Sequence, residues 1–419
     1  MATIKALRAR EILDSRGIPT LETEIWLDTG HYAVASVPSG ISTGKHEAVE
    51  LRDNDPHRFH GQGVLKAVNH VNTIIAPQLV GRDPQEQAAI DQLLINLDGT
   101  PNKSKLGANA ILSVSQAVCE VAAAAFNLPT YQYLAWKYLN LEKITRLPTP
   151  TFNAINGGKH GSGNLDFQEF HVIPSTLKSY HEGLELGEAI YHSLEQVLIQ
   201  KNAVHSVGVE GGFAPNLLTN MDALEAIMEA IKGTPYQFAQ DVFLGIDVAA
   251  SHFYVGDHYT IKDRSQPFSA KDMIAYFEEL NRRYHLFSLE DPLFEDDWDS
   301  WKDLTASIGH QTLIIGDDLL VTNKDRLRKA IDLKACNAIL VKPNQIGTIS
   351  ETVEVVNVAR SANFNIIISH RSGETNDDFI ADFAVGLQAH YTKFGAPVRG
   401  ERTAKYNRLL VIEQEIATT

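Results

Sequence analysis

The chain has 419 residues, 44% hydrophobic and 21% charged, a globular composition too long for one average domain, so two domains are expected, one of them large. Acidic residues outnumber basic ones by 52 to 37, a formal net charge of −15, and no lysine or arginine block is present that could track a phosphate backbone, which argues against nucleic acid as the main partner. Cys119 and Cys336 are too few for a disulfide framework or a multi-cysteine zinc site. The opening MATIKALRAREILDSRG lacks the apolar core of a signal peptide and no run approaches 18 apolar residues, so no membrane partner and a cytoplasmic location are expected.

Residues 20–27, TLETEIWL, place Leu21, Thr23, Ile25 and Leu27 on one side and Glu22, Glu24 and Trp26 on the other, the period of a strand. Asp28-Thr29-Gly30 then turns the chain into HYAVASV, completing a hairpin. From Gly63 to about Leu139 the pattern is helical, with Leu106, Ala110, Val114, Ala117, Val121 and Ala125 forming an apolar stripe. The prolines at 148 and 150 mark the junction between an N-terminal α+β domain, placed at 1–140, and a second domain at 141–419.

In that second domain the aliphatic runs VFLGI, HLFSL, TLIIG, AILV and NIIIS alternate with helix-length amphipathic segments, which predicts a parallel sheet covered on both faces. Asp247, Glu290, Asp317, Lys342 and His370 each occupy the first position after one of these runs. Ionisable groups at successive strand ends favour an eightfold β/α barrel with its site on the carboxyl-terminal face over an open sheet, which gathers ligands at one switch point.

Three carboxylates converging on one face repel unless a cation or proton is shared, and an oxygen-only donor set suits magnesium. Asp247, Glu290 and Asp317 are therefore the candidate ligands. The EDDWD segment at 295–299 reads instead as a solvated acidic helix start. Lys342 would lie beside the metal, where a neighbouring divalent charge weakens its hold on a proton and makes it a general base, unless it is a structural partner of one acid. His370, Arg371 and Ser372 together, with Lys393 in YTKFGAP, offer donors for phosphate or carboxylate. Two glycine-rich loops carry His160, Gln168 and Glu169, and Glu210; a closed site can raise a carboxyl pKa and make it an acid. GISTG at 40–44 imitates a serine nucleophile elbow without a strand running into it, and HEAVE and HEGLE lack a zincin's second histidine.

AREILDSRG, KLGANAIL, N-x-INGG-x-H, QEF, EGGFAPN, EDP, GDDL-VTN, NQIGT, SHRSGET and AKYNRLL occur in one order from Ala9 to about Leu410, and together they resemble the enolase (phosphopyruvate hydratase) family. The resemblance implies a capping domain on an eightfold barrel and reversible dehydration of 2-phosphoglycerate to phosphoenolpyruvate, a step of glycolysis and gluconeogenesis, with two magnesium ions in the substrate complex. It implies Lys342 as base, Glu210 assisted by Glu169 as acid, and His370 beside them. Asp247, Glu290 and Asp317 would hold the first metal, and Ser39 in the 38–44 loop would contribute to the second. His160, Gln168, Arg371, Ser372 and Lys393 would grip a small phosphorylated acid, and a homodimer is the family expectation. The chain departs from the family pattern at Ile18, Ile41, Val209 and Pro343. A paralogue acting on a related phosphonate or hydroxy acid, or a non-catalytic binding protein on the same fold, are the other readings of this resemblance.

Overall fold

The computed structural model describes residues 2–40, 44–161, 163 and 165–418. The first domain is built on a three-stranded antiparallel sheet, β1 (Ile4–Leu13), β2 (Pro19–Leu27) and β3 (Tyr32–Ser36). Leu21, Thr23, Ile25 and Leu27 are buried and their alternating neighbours partly exposed, as the period of two requires. The expected hairpin is β2–β3; β1 was not anticipated, because its lysine and two arginines break the apolar alternation.

Helix Ala108–Ala125 packs against that sheet. It is long and apolar enough to cross a membrane by length and composition, yet 83% of it is buried inside the fold. A single apolar stripe understates it, since Asn109, Ser113, Ser115 and Gln116 are buried too. Their polar atoms are matched locally: Ser113 shares a 2.8 Å hydrogen bond with Thr23, and Ser115 Oγ accepts from the Ile349 amide at 2.9 Å, which ties this helix to the second domain.

The second domain is a closed eight-stranded barrel. Its strands are β4 (Thr149–Asn156), β5 (Glu169–Pro174), β6 (Val242–Asp247), β9 (Ser288–Glu290), β10 (Leu313–Gly316), β11 (Ala338–Val341), β12 (Asn365–Ser369) and β13 (Tyr391–Lys393); a ribbon of β7 (Tyr254–Val255) and β8 (His258–Tyr259) sits between β6 and β9. Around the ring the order is β10, β11, β12, β13, β4, β5, β6, β9. The expectation of an all-parallel sheet needs correction, because β5 runs antiparallel to both β4 and β6. A short loop joins β4 to β5 with no crossover helix among its described residues, and only an antiparallel pair can be closed that way.

Outer helices begin at side-chain caps that satisfy their first amides: Ser179 with Glu182, Thr219 with Asp222, Ser269 with Asp272. EDDWD is such a start, with Asp297 accepting from the Ser300 amide at 3.2 Å. The first domain closes over the barrel mouth through backbone pairing of Ser39 with Gly373, and through Glu47, which receives Arg371 at 2.9 Å.

Candidate active site at the barrel mouth

Asp247, Glu290, Asp317, Lys342 and His370 all stand at the carboxyl ends of strands, as the apolar runs foretold, Lys393 joins them at the end of β13, and all are buried or nearly so. Adjacent strands β6 and β9 pair Asp247 with Glu290. The Lys393 ammonium lies 2.9 Å from Asp247 Oδ2 and from both Glu290 oxygens, and 3.5 Å from Glu169 Oε2. Asp317 turns instead to Lys342, which donates to its Oδ2, and to Gln345 Nε2 at 3.1 Å.

Two carboxylates that sequence reasoning passed over complete this side. Oxygen atoms of Asp291, Asp317 and Asp318 lie within 4.8 Å of one another. Asp291 accepts from the amides of Asp317 at 3.0 Å and Asp318 at 2.7 Å, so it braces the loop that presents them. The acidic doublets at 290–291 and 317–318, each immediately after an apolar run, were the available signal.

Crowding shifts these carboxyl groups. Burial, then repulsion from Asp247, holds the Glu290 carboxyl well above the usual range despite Lys393, and burial with Asp318 and Asp317 does the same to Asp291. Asp318 is pushed to about 7 by burial and Asp317. Gln168, whose Nε2 donates to Asp247 at 3.2 Å, has its other amide atom, Oε1, buried and without a partner among the described residues. Clustered hard oxygens, short of positive charge and with an orphan carbonyl beside them, fit a divalent cation.

On the other side, His160 Nδ1 lies 3.2 Å from Glu169 Oε1 and 3.4 Å from Glu210 Oε1, and His171 Nε2 lies 2.9 Å from Glu169 Oε2. Glu210 Oε2 receives Asn153 Nδ2 at 3.2 Å and lies 3.4 Å from His370 Nε2. The Glu210 loop approaches so closely that a Cβ at Gly208 would sit 2.4 Å from the His160 carbonyl, which is why this loop needs glycine.

Here the expectation of raised carboxyl pKa values fails. Burial, and for Glu210 the Glu169 charge, push both groups up, but their partners outweigh that: Lys393 and His160 take Glu169 well below the usual range, and the His160 charge with the His370 hydrogen bond takes Glu210 to about 2. His160 is the imidazole that carries the charge, held up by Glu210 and Glu169 against its burial, whereas burial keeps His370 below its usual value and neutral. The weakened ammonium expected of Lys342 depends on a neighbouring divalent charge; the protein's own groups act in the other direction. Burial lowers it, but the facing Asp317 carboxylate more than compensates and holds it above the usual lysine value.

Arg371 is clamped between Glu47 and Asn344, each at 2.9 Å, and with Ser372 it lines the same central cavity as Lys342 and Glu210. Ser39 is not part of that lining; its hydroxyl oxygen accepts from Arg52 at 2.7 Å and Arg16 at 3.2 Å. Ile41, elsewhere in its loop, lies outside the described residues. Pro343 takes the first position of the short helix Pro343–Ile346, where a missing amide costs nothing, and Lys342 before it is extended.

Lys342 and the Glu169–Glu210 group therefore face each other: β11, which ends just before Lys342, is four places from β5, which begins at Glu169, in a ring of eight. Comparison with known families agrees with this architecture. The family "Enolase, N-terminal domain" matches residues 4–134 and "Enolase, C-terminal TIM barrel domain" matches residues 144–419. Enolase domains imply a lyase-type enzyme, and the acidic groups at the mouth are compatible with a divalent metal. On matches that span nearly its whole length, the chain belongs to the enolase family.

Proposed function

We propose that the protein is a magnesium-dependent hydro-lyase that interconverts 2-phosphoglycerate and phosphoenolpyruvate. The observation that carries this reading is the opposition across one cavity of a lysine and a histidine-supported glutamate, with a cation-deficient carboxylate cluster beside the lysine. Elimination of water needs a base at the carbon next to the carboxylate and an acid at the hydroxyl of the neighbouring carbon, on opposite faces.

Lys342 Nζ, in its unprotonated form with its ammonium proton given up to solvent beforehand, takes the proton from the carbon beside the substrate carboxylate. The electron pair left behind forms the carbon–carbon double bond as the hydroxide departs. Glu210, protonated for that step, gives its proton to the hydroxide, which leaves as water; His160, already carrying a proton between Glu169 and Glu210, is the group placed to supply it. Arg371 and Ser372 hold the phosphate, with Glu47 and Asn344 fixing the guanidinium plane. Asp247, Glu290 and Asp317 would hold magnesium. Bound there, it supplies Lewis-acid stabilisation of the charge that grows on the substrate carboxylate.

The test is the ultraviolet absorbance of phosphoenolpyruvate formed from 2-phosphoglycerate, with and without magnesium, for wild type and Lys342→Ala. Metal-dependent product that falls by about 10²- to 10⁴-fold in the variant is the expected result, the range of a general base. No product from the wild type, or undiminished activity in the variant, overturns the reading.

A further inference from the structure

Arg402 belongs to the C-terminal helix Gly400–Thr418, is wholly buried, and reaches two functional loops at once. Its Nη1 donates to His370 Nδ1 and to the Arg371 carbonyl, both at 2.7 Å. Its Nη2 donates to the Ser372 carbonyl at 2.7 Å and to the Val209 carbonyl at 3.1 Å. A structural arginine needs only carbonyl acceptors; the contact to an imidazole nitrogen adds a chemical constraint.

A guanidinium has donors and no acceptor. His370 Nδ1 must therefore accept, so the neutral ring carries its proton on Nε2, the nitrogen 3.4 Å from Glu210 Oε2. Glu210 Oε2 already receives Asn153 Nδ2 at 3.2 Å. With two donors on Oε2, a proton on Glu210 is confined to Oε1, the oxygen that faces His160. The Val209 contact fixes the backbone immediately before Glu210 with the same side chain.

Gly395 gives this arrangement room. Its φ is +89°, and a Cβ there would lie 2.8 Å from the Glu210 carbonyl and 3.0 Å from both Arg402 Cδ and His370 Cε1. Arginine, imidazole and the Glu210 backbone thus meet over the one position with no side chain.

We propose that Arg402 is a positioning residue for proton delivery: by locking His370 as its Nε2–H tautomer and anchoring Val209, it fixes which oxygen of Glu210 carries the transferable proton. The role in turnover rests on the hydro-lyase reading above; the tautomer does not. Two measurements separate them. Side-chain nitrogen-15 spectra of histidine-labelled full-length protein near neutral pH, with the His370 signal identified by its loss in His370→Gln, should show Nε2 bonded to hydrogen and Nδ1 bare. Arg402→Lys keeps the charge but not the fork; its kcat should fall by about 10²-fold, the cost of misplacing a reacting group by an ångström, while KM changes by less than about threefold and His370 no longer holds a single tautomer. A His370 protonated on Nδ1 in the wild type, or an unchanged kcat in Arg402→Lys, overturns the proposal. Should the variant fail to fold by circular dichroism, or the wild type form no phosphoenolpyruvate, the wild-type tautomer alone decides it, while the second result sinks only the hydro-lyase reading.

Discussion

Glu210 and Glu290 are both buried glutamates at the mouth of one barrel, yet they end in opposite states. Around Glu210 the chain supplies its own positive charge, a protonated His160 shared with Glu169 and a Lys393 that also faces Glu169, and the carboxyl is ionised. Around Glu290, burial together with Asp247 and Asp317 outweighs the single ammonium that Lys393 shares among several acids, and the carboxyl is driven well above its usual range. Burial alone decides neither outcome; the sign follows from the charge left over after the local partners are counted. The half of the mouth that is self-neutralised can hold and pass a proton, and the half that is not calls for a cation.

Substrate exchange separates the two halves most sharply. Glu210→Gln removes the proposed proton donor but leaves Lys342 in place, so hydrogen at the carbon beside the carboxylate should still exchange with deuterated solvent while phosphoenolpyruvate formation drops by about 10²- to 10⁴-fold. Lys342→Ala should lose both. Exchange abolished in Glu210→Gln would mean that the two sides do not act as separate base and acid.

Metal-dependent stability is the next largest effect. With magnesium at about a hundred times its dissociation constant, the wild type should gain about 2.7 kcal/mol, read as a rise in Tm. Glu290→Gln imitates the protonated carboxyl that crowding already favours and leaves Lys393 its contacts with Asp247 and Glu169, so the metal-free variant should melt no lower than the wild type while the magnesium shift shrinks. A metal-free variant that melts well below the wild type would mean that the Lys393 contact, not repulsion, dominates at Glu290.

How far the sequence disclosed this site depends on how local each feature is. Asp247, Glu290, Asp317, Lys342 and His370 were legible because each directly follows a short aliphatic run, and a barrel strand points its end at the mouth whatever the rest of the chain does. The antiparallel β5 was hidden, since its residues, EFHVIP, read the same in either direction and the direction is set by the loop before it. Arg402 and Glu47 were hidden for a different reason: they come from the last helix and from the capping domain, and nothing near them in sequence reveals that they meet His370 and Arg371. The protonation direction of Glu210 was misjudged because it depends on His160 and His370, contacts made only through space.

The smallest expected effect asks whether uncompensated crowding always marks a ligand site. At the seam between the domains, Gln116 Nε2 donates at 3.0 Å to Glu120 Oε1 and to both oxygens of Asp377. Burial, then Asp377, raises Glu120 well above its usual range, and burial raises Asp377 to about 6, with Asp378 and Asp382 adding repulsion and Lys405 only partly opposing it. These acids hold protons in the fold that they would release when unfolded, so the folded state binds more protons between the unfolded carboxyl range, near 4, and about 6 or higher. Their contribution is therefore intact at low pH and is lost as pH rises through the folded values. Glu120→Gln keeps an oxygen for Gln116 and removes the ionisation, so it should stabilise the protein by on the order of 1 kcal/mol at pH 8, with the gain shrinking towards pH 5, as read from Tm across that range. A gain that is flat with pH would show that Glu120 is not the titrating member of the pair. A magnesium-dependent Tm shift that Glu120→Gln weakens as much as Glu290→Gln does would place a cation at the seam and break the distinction between the two crowded clusters.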